Sequence, residues 1–237
     1  MKAQVLTYSR KKEKIQKKYN ISDLQDITEQ EEVFIYHGNL SPEALEDPRF
    51  IGLSLYPKNN REIKCDLNKE LPILDNSVDA FQSEDVIEHL HVDSIIFSLN
   101  EIYRILKPNA FCRISLPDYY SLNQMKRSIY EYEGNILGDV ALGAVPIFDN
   151  GQLKIKHTAP PGDNHFWFPT IDNVKDLIFN SDLSKCSVMK IVHANVKNSD
   201  PILDEVENLD TFYVRRSPPM DMRSNGNPIS IIIDFVK

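Results

Sequence analysis

The segment CDLNKELPILDNSVDAFQSEDVIEHL (residues 65–90), with EIYRILKP (101–108) and AFCRISLPD (110–118) after it, decides the fold. One apolar run predicts a buried strand at Val78–Ser83, and another predicts a central strand at Ala110–Leu116. Between them, apolar side chains recur every three or four residues, which predicts a helix over Asp93–Leu106. A strand, a crossover helix and a second strand are typical of a parallel sheet.

The same alternation begins earlier in the chain. Apolar runs predict strands at Val33–His37 and Phe50–Leu55. Between these strands Ser41 is a suitable N-cap and Pro42 suits the first helical position, so a short helix is expected there.

The remaining C-terminal pattern completes an α/β domain. We expect a helix at Thr170–Asn180, a strand at Cys186–His193 and a β-branched last strand at Ile229–Val236. Asn225-Gly226 is a turn signal before the last strand.

Residues 118–169 interrupt the alternation. They are rich in Tyr, Gly, Pro and Asn, show no clean period, and end in the aromatic cluster His165-Phe166-Trp167-Phe168-Pro169. Long irregular segments in compact domains usually serve as lids or binding loops. This segment is therefore expected to be an irregular insertion on the substrate side of the domain.

Composition and charge limit the possible functions. A chain of 237 residues with 41% hydrophobic content can form one domain, which we place at residues 31–237 after a basic arm at 1–30. Residues 1–20 hold seven Lys or Arg and one Glu, which leaves a net charge of −14 on the rest of the chain. The acidic body argues against a nucleic-acid substrate. The basic run either contacts an anionic partner or is a solvated helix face or arm.

No apolar run reaches the length of a membrane span, and the first residues lack the apolar core of a secretory signal. A cytoplasmic protein is therefore expected. Cys65, Cys112 and Cys186 lie in or beside apolar runs and form no C-x-x-C pair, so buried thiols are predicted rather than disulfides or a zinc site.

Residues 31–118 resemble the core of class I S-adenosylmethionine-dependent methyltransferases, especially those acting on small molecules and sugars. The segment from Asp66 to Asp118 carries most of this resemblance, whereas residues 165–237 resemble the family only by pattern. The resemblance implies a Rossmann-like, seven-stranded, mostly parallel sheet with helices on both faces and an insertion after strand five. It also implies S-adenosylmethionine as cofactor, bound at the carboxyl ends of the strands.

The resemblance nominates nine cofactor-binding residues: Tyr36, His37, Gly38, Ser54, Asp66, Leu67, Ser83, Glu84 and Asp85. Tyr36 and Gly38 fall where the family places two glycines, so the cofactor loop is degenerate. The Tyr36 side chain must either turn into the sheet or occupy cofactor space. Ser54 stands where the family uses an acid for the ribose hydroxyls. Asp66 matches the aspartate that holds the adenine, although it could simply cap a turn before Asn68.

For the acceptor side, the resemblance places the loop Ser83–Leu90 beside the reacting sulfonium. His89 and Asp118 are candidate general bases. The predicted substrate contacts are Tyr119, His165 and Trp167, although the aromatic cluster could equally seal the insertion onto the core.

A metal site is a further alternative for this loop. Asp85, Glu88 and His89 resemble a group that binds a divalent metal in some quinone-synthesis methyltransferases. Adjacent helical residues diverge by about 100°, so a site needs ligands from other segments. No metal is predicted.

Two functions remain open from the sequence. One is methyl transfer from S-adenosylmethionine to oxygen or nitrogen of a small-molecule acceptor, with a sugar or glycan precursor as one candidate. The other is an inactive methyltransferase-fold scaffold that has lost its cofactor. Tyr36 and Ser54 favour the scaffold, whereas Asp66-Leu67 and the Ser83–Leu90 loop favour the enzyme. The sequence leaves the oligomeric state open.

Overall fold

The computed structural model describes residues 32–71, 73–120, 129–192, 212, 214 and 230–237. The predicted basic arm at 1–30 and the predicted turn at Asn225-Gly226 lie outside these residues. Two ends of predicted strands also lie outside them, namely His193 and Ile229.

The strands, in chain order, are β1 (Phe34–His37), β2 (Phe50–Ser54), β3 (Glu62–Lys64), β4 (Val78–Glu84), β5 (Leu106–Pro117), β6 (Ile129–Tyr132), β7 (Asn135–Asp139), β8 (Ala144–Asp149), β9 (Gln152–His157), β10 (Val188–Val192) and β11 (Ser230–Val236). The α-helices are α1 (Pro42–Glu46), α2 (Val92–Ile105) and α3 (Ile171–Phe179). Short 3-10 turns lie at Ile87–His89, Val140–Leu142 and Asp182–Lys185.

The main sheet has seven strands in the order β10-β11-β5-β4-β1-β2-β3. The strands from β5 to β3 in this order pair in parallel, whereas β11 pairs antiparallel with both β5 and β10. The predicted α/β fold with a mostly parallel seven-stranded sheet is therefore confirmed. Because β1, β2, β4 and β5 run in the same direction, their carboxyl ends lie at one edge, where ligands bind in sheets of this kind.

Successive strand residues point to opposite faces of the sheet, which creates two apolar layers. On the first face, Ile35, Phe81 and Ile114 belong to the larger core together with buried side chains of α2 and α3. On the second face, Tyr36 and Phe50 pack with a smaller cluster that includes Ala44 of α1 and Phe212.

Local capping explains where α1 and α3 begin. The Ser41 side chain accepts a hydrogen bond from the Ala44 N–H (3.1 Å), and Pro42 is the first residue of α1, as predicted. Thr170 caps α3 in a capping box, in which the Asn173 side chain accepts from the Thr170 N–H at 2.7 Å.

The insertion is more regular than its sequence suggests. The prediction of an irregular segment is wrong for residues 129–157, which form a second, four-stranded sheet in the order β6-β7-β8-β9. Most side chains of β6 and β9 are exposed, so the strands lack the apolar alternation that reveals a half-buried strand. Two hairpins carry positive φ at both turn residues, Glu133-Gly134 and Asn150-Gly151, which matches the right-handed twist of the strands.

The three cysteines are free thiols. Cys65 and Cys112 are buried, as predicted, whereas Cys186 is half-buried. Among the described residues, no helix is both long enough and apolar enough to cross a bilayer.

Candidate functional site

The loop after β1 is packed tightly against its neighbours at the carboxyl edge. Gly38 has φ +98°, and a Cβ there would lie 3.0 Å from Cγ2 of Val86 in the loop after β4. On β2, a Cβ at Gly52 would lie 2.9 Å from the Gly38 carbonyl oxygen. Both positions therefore require glycine, and the loops after β1 and β4 are in contact.

Glu62 on β3 holds the loops after β1 and β2 together. Its buried carboxylate accepts hydrogen bonds from the Asn39 side chain (2.8 Å) and the Leu40 N–H (2.9 Å). It also accepts from the Lys58 N–H and from the Asn59 side chain. A carboxylate that receives this many donors fixes the backbone of both loops. Sequence reasoning missed Glu62, because β3 has only three residues and no apolar run marks it.

The Tyr36 side chain turns into the sheet, which is one of the two predicted alternatives. Its ring lies on the second face, 6.1 Å from the Phe50 ring between centroids, and its hydroxyl donates to Glu84 Oε2 at 3.1 Å. Tyr36 is thus a buried packing residue of β1.

His37 and Ser83 meet at the carboxyl ends of β1 and β4. His37 Nδ1 lies 3.0 Å from Ser83 Oγ, and both side chains are buried. Burial lowers the pKa of His37 to about 3, so its imidazole is neutral at physiological pH.

The remaining cofactor candidates lie after β2 and β3. Ser54 is buried, and its hydroxyl accepts from the Tyr56 N–H at 3.1 Å. Asp66 accepts from the Asn68 N–H (3.1 Å), which is the turn contact that the sequence left as an alternative, and it pairs with Lys69 at 2.9 Å. Leu67 beside it is buried.

The loop after β4 begins with an unusual backbone conformation. Asp85 has φ +54°, a left-handed conformation in which aspartate is tolerated, and its N–H donates to the Ser115 carbonyl at 3.1 Å. The turn at Ile87–His89 follows directly, with Glu88 fully buried and His89 half-buried.

The structure brings His165 of the aromatic cluster next to this turn. Ligand atoms of Glu88, His89 and His165 all lie within 4.8 Å of one another. The His89 and His165 rings meet edge to face with centroids 4.6 Å apart, and His165 Nε2 lies 4.0 Å from Glu88 Oε1. We call these three residues the Glu-His-His group.

Hydrogen bonds fix the orientation of both imidazoles. His89 Nδ1 lies 2.9 Å from the Asn164 carbonyl oxygen, which places the ring proton on Nδ1. His165 Nδ1 lies 2.6 Å from the Tyr119 hydroxyl, which donates to Asp139 Oδ2 at 3.1 Å. Tyr119, a predicted substrate contact, is itself buried. Its hydrogen bond fixes the orientation of the His165 ring.

Backbone contacts attach the aromatic cluster to the loop after β4. The Phe166 N–H donates to the Glu88 carbonyl (3.0 Å), and the Trp167 indole N–H donates to the Ile87 carbonyl (2.9 Å). Trp167 belongs to the larger core and is only 8% exposed. This placement favours the alternative in which the cluster seals the insertion onto the core.

Asp118 immediately follows β5 and is 1% exposed. Its Oδ1 accepts a hydrogen bond from the Tyr120 N–H at 2.9 Å. Burial raises the pKa of Asp118 to about 6, and the Tyr120 hydrogen bond opposes this shift only in part. A carboxylate with this pKa can accept a proton at neutral pH.

Comparison with known families finds a match over part of the chain. Residues 35–114 match the family model of the methyltransferase domain. The match runs from β1 into β5, about a third of the chain, and includes the loops after β1, β2, β3 and β4. No curated protein sequence matches the chain.

Solved structures of methyltransferases resemble the chain at low identity. An S-adenosylmethionine-dependent methyltransferase from Mesorhizobium loti is 13% identical, with a TM-score of 0.46 over 86% of this chain and 90% of that chain. One from Archaeoglobus fulgidus is 12% identical, with a TM-score of 0.46 over 97% and 94%. A Burkholderia thailandensis 1,6-didemethyltoxoflavin-N1-methyltransferase, solved with S-adenosylhomocysteine, is 11% identical, with a TM-score of 0.42 over 87% and 71%. At these scores the neighbours carry no argument about activity or substrate.

Proposed function

We propose that this chain is an S-adenosylmethionine-dependent methyltransferase that acts on an oxygen or nitrogen atom of a small molecule. The observation that carries the proposal is the match of residues 35–114 to the methyltransferase domain, because these residues form the carboxyl edge just described. The acidic body of the chain argues against a polyanionic acceptor. A sugar or glycan precursor is one acceptor class within this proposal.

The proposed cofactor site lies across the loops after β1, β2, β3 and β4. Gly38 permits close approach of the backbone, and Glu62 holds the loops in place. Ser54 is assigned to the ribose, and Asp66 with Leu67 to the adenine. His37, Ser83, Glu84 and Asp85 line the same edge, whereas Tyr36 supports it from the second face.

The proposed acceptor site lies between the loop after β4 and the insertion. S-adenosylmethionine supplies the activated methyl group when bound, so the protein must position the acceptor, exclude water and remove one proton. His89 and Asp118 are the two candidate bases. His165 faces the same loop, and Tyr119 fixes its ring.

Calorimetry with S-adenosylhomocysteine tests the proposal directly. We expect one binding site whose affinity is lower than is usual for the family, because the cofactor loop has a single glycine and Ser54 replaces an acid. Absence of heat and of any thermal shift at millimolar ligand would favour an inactive scaffold instead.

Ser54→Asp should tighten S-adenosylhomocysteine binding roughly tenfold. A hydrogen bond to a charged group contributes about 1.5–3 kcal/mol, against about 0.5–1.5 kcal/mol for a neutral pair, and a carboxylate can still accept from the Tyr56 N–H. Ser54→Asn is the matched control, because it has a similar shape without the charge. Equal affinities for S-adenosylhomocysteine in the wild type and both variants would show that the ribose does not bind at Ser54.

Tyr36→Ala should destabilise the fold by about 3–5 kcal/mol and leave S-adenosylhomocysteine affinity unchanged, because the ring packs on the second face. Urea unfolding measures the stability and calorimetry measures the affinity. Tyr36→Phe keeps the packing of the ring, removes the hydroxyl that donates to Glu84, and should cost about 1 kcal/mol. A gain in affinity for either variant would show that the tyrosine occupies cofactor space and would contradict the proposed activity.

A further inference from the structure

We propose that the methyl acceptor carries an apolar chain and that the β8–β9 hairpin of the insertion binds this chain. The inference rests on the proposed function and adds a class of acceptor to it. The binding surface consists of Pro146 and Phe148 on β8 and of Leu153 and Ile155 on β9. We call these four residues the apolar track.

The strand register places the whole apolar track on one face of the hairpin. It consists of two directly opposed pairs, Phe148 with Leu153 and Pro146 with Ile155. Opposed residues of neighbouring strands point to the same face, and so do residues two apart on one strand. The two lysines of β9 alternate with these positions and point to the other face. The track therefore contains no charged side chain.

The face that carries the track is the one that meets the body of the domain. The next pair on this face is Ala144 with His157, and Ala144 is fully buried. The His157 ring lies 4.4 Å from the Phe166 ring between centroids. Asp139, opposite Ala144 in the register, is also buried and accepts a hydrogen bond from Tyr119. The track therefore extends outward from the acceptor side of the site.

Exposure increases along the track with distance from the domain. Pro146 and Ile155 are half-buried, whereas Leu153 is 40% exposed and Phe148 is 80% exposed. Phe148 is the most exposed large hydrophobic side chain among the residues that the structure describes. An apolar ligand that covers these side chains removes their surface from water, which is favourable.

Aromatic rings connect the inner end of the track to the Glu-His-His group. The Phe166 ring contacts His157 and also His91, whose ring centroid lies 4.2 Å away. The Phe166 N–H donates to the Glu88 carbonyl at 3.0 Å, and His165 is its neighbour in the chain. An acceptor with its reactive atom beside this group can therefore place an apolar substituent along the track.

The size of the track favours a chain over a second protein. From His157 to Leu153 the strand rises about 13 Å, at about 3.3 Å per residue. The four side chains expose on the order of 300 Å², since a whole phenylalanine can bury about 150–250 Å². A stable dimer interface buries about 800 Å² on each partner. The track alone is thus too small for a dimer interface, but it can cover one side of an alkyl chain.

Fluorescence titration with two dansyl amides tests the track without any cofactor. Dansyl decylamide carries an alkyl chain, and dansyl methylamide has the same aromatic head without the chain. We expect the wild type to bind the decylamide about ten- to a hundredfold more tightly, because each buried methylene increases affinity roughly fourfold. The double variant Phe148→Ser with Leu153→Ser should lose this difference, whereas Phe148→Leu should keep it.

Ile147→Ser is the matched control, because Ile147 lies on the opposite face of the same hairpin and is 37% exposed, close to the 40% of Leu153. It should leave the difference between the two amides unchanged. Circular dichroism and thermal melting establish that each variant is folded. Equal affinities of the two amides for the wild type would overturn the proposal. A difference that survives the double variant, or that Ile147→Ser removes, would overturn it too, because the chain would then bind elsewhere.

Sedimentation velocity separates a bound chain from a second copy of the protein. A dimeric wild type together with a monomeric double variant would overturn the proposal, because the track would then be an interface between copies. Calorimetry with S-adenosylhomocysteine tests the proposed function separately. Tighter binding of the decylamide without any binding of S-adenosylhomocysteine would refute methyl transfer, and would assign the track to an apolar ligand of a binding protein.

Discussion

Asp118→Asn is expected to stabilise the protein by about 3 kcal/mol at pH 8 while slowing methyl transfer by about two to four orders of magnitude. The stability effect follows from burial, which raises the pKa of Asp118 from 3.8 to about 6. The catalytic effect follows from the proposed role of Asp118 as general base. The carboxamide oxygen of the variant can still accept the Tyr120 N–H, so the substitution removes little besides the charge.

The pH dependence of this stability difference has a definite sign. Below about pH 3 the carboxyl group is protonated in both the folded and the unfolded chain, so wild type and variant should be about equally stable. As the pH rises, the unfolded chain loses its proton near 3.8, whereas the folded protein keeps its proton until about pH 6. The wild type therefore loses stability relative to the variant through this range, and the loss is complete above pH 6.

Urea unfolding of both proteins between pH 3 and 8 measures this difference, since all other titrating groups are shared. The exposed Asp163→Asn is the control and should change stability by less than about 0.5 kcal/mol at every pH. The rate of methyl transfer should fall below pH 6 in the wild type and lose that dependence in Asp118→Asn. A pH-independent stability difference would contradict the buried charge, and an unchanged rate would exclude Asp118 as the base.

The sequence predicts the main sheet well, because its buried parallel strands contain apolar runs, and Gly38, Pro57 and Pro117 lie at or near the ends of β1, β2 and β5. The ends of β1, β2 and β4 lie within one residue of their predicted positions. The short strand β3 has no such run. The second sheet is exposed on most of its positions, although Asn150-Gly151 is a hairpin signal that could have revealed β8 and β9.

The candidate site is predictable only in part, because its residues come from distant segments. Position after a strand is visible in sequence, and it nominates Asp118 and the loop after β4. The chain has six histidines, and the sequence does not show which of them lies beside Glu88, because this depends on how the insertion packs against the loop after β4. The direction of Tyr36 depends on the strand register, since a shift by one residue would move its ring to the opposite face.

The second large effect concerns the ion pair that joins β5 to β11. Arg113 is fully buried and lies directly opposite Asp234 in the strand register. Its guanidinium donates to both carboxylate oxygens, at 2.7 and 2.6 Å, and to the Phe212 carbonyl at 2.9 Å. Asp234→Ala should therefore cost about 3–5 kcal/mol, because a buried cation loses its charged partner.

Substitution of Arg113 should cost less stability than substitution of Asp234, so the contributions of the two residues can be measured separately. Arg113→Met fills a similar volume, and the Asp234 side chain, 21% exposed, can reach water. The double variant Arg113→Met with Asp234→Leu should be close to the wild type in stability, because no buried charge remains. The exposed pair Lys154–Asp149 is the control, and Asp149→Ala there should cost less than about 1 kcal/mol.

Urea unfolding of the three variants and the control decides the outcome. A cost for Asp234→Ala as small as that of the exposed control would show that water reaches Arg113 and that the second face is open. The expected loss of stability in Asp234→Ala has a consequence for function, because β5 ends at Pro117 and Asp118 follows directly. The ion pair fixes β5 against β11, so Asp234→Ala should also shift the pH dependence that Asp118 controls, whereas the double variant should restore it.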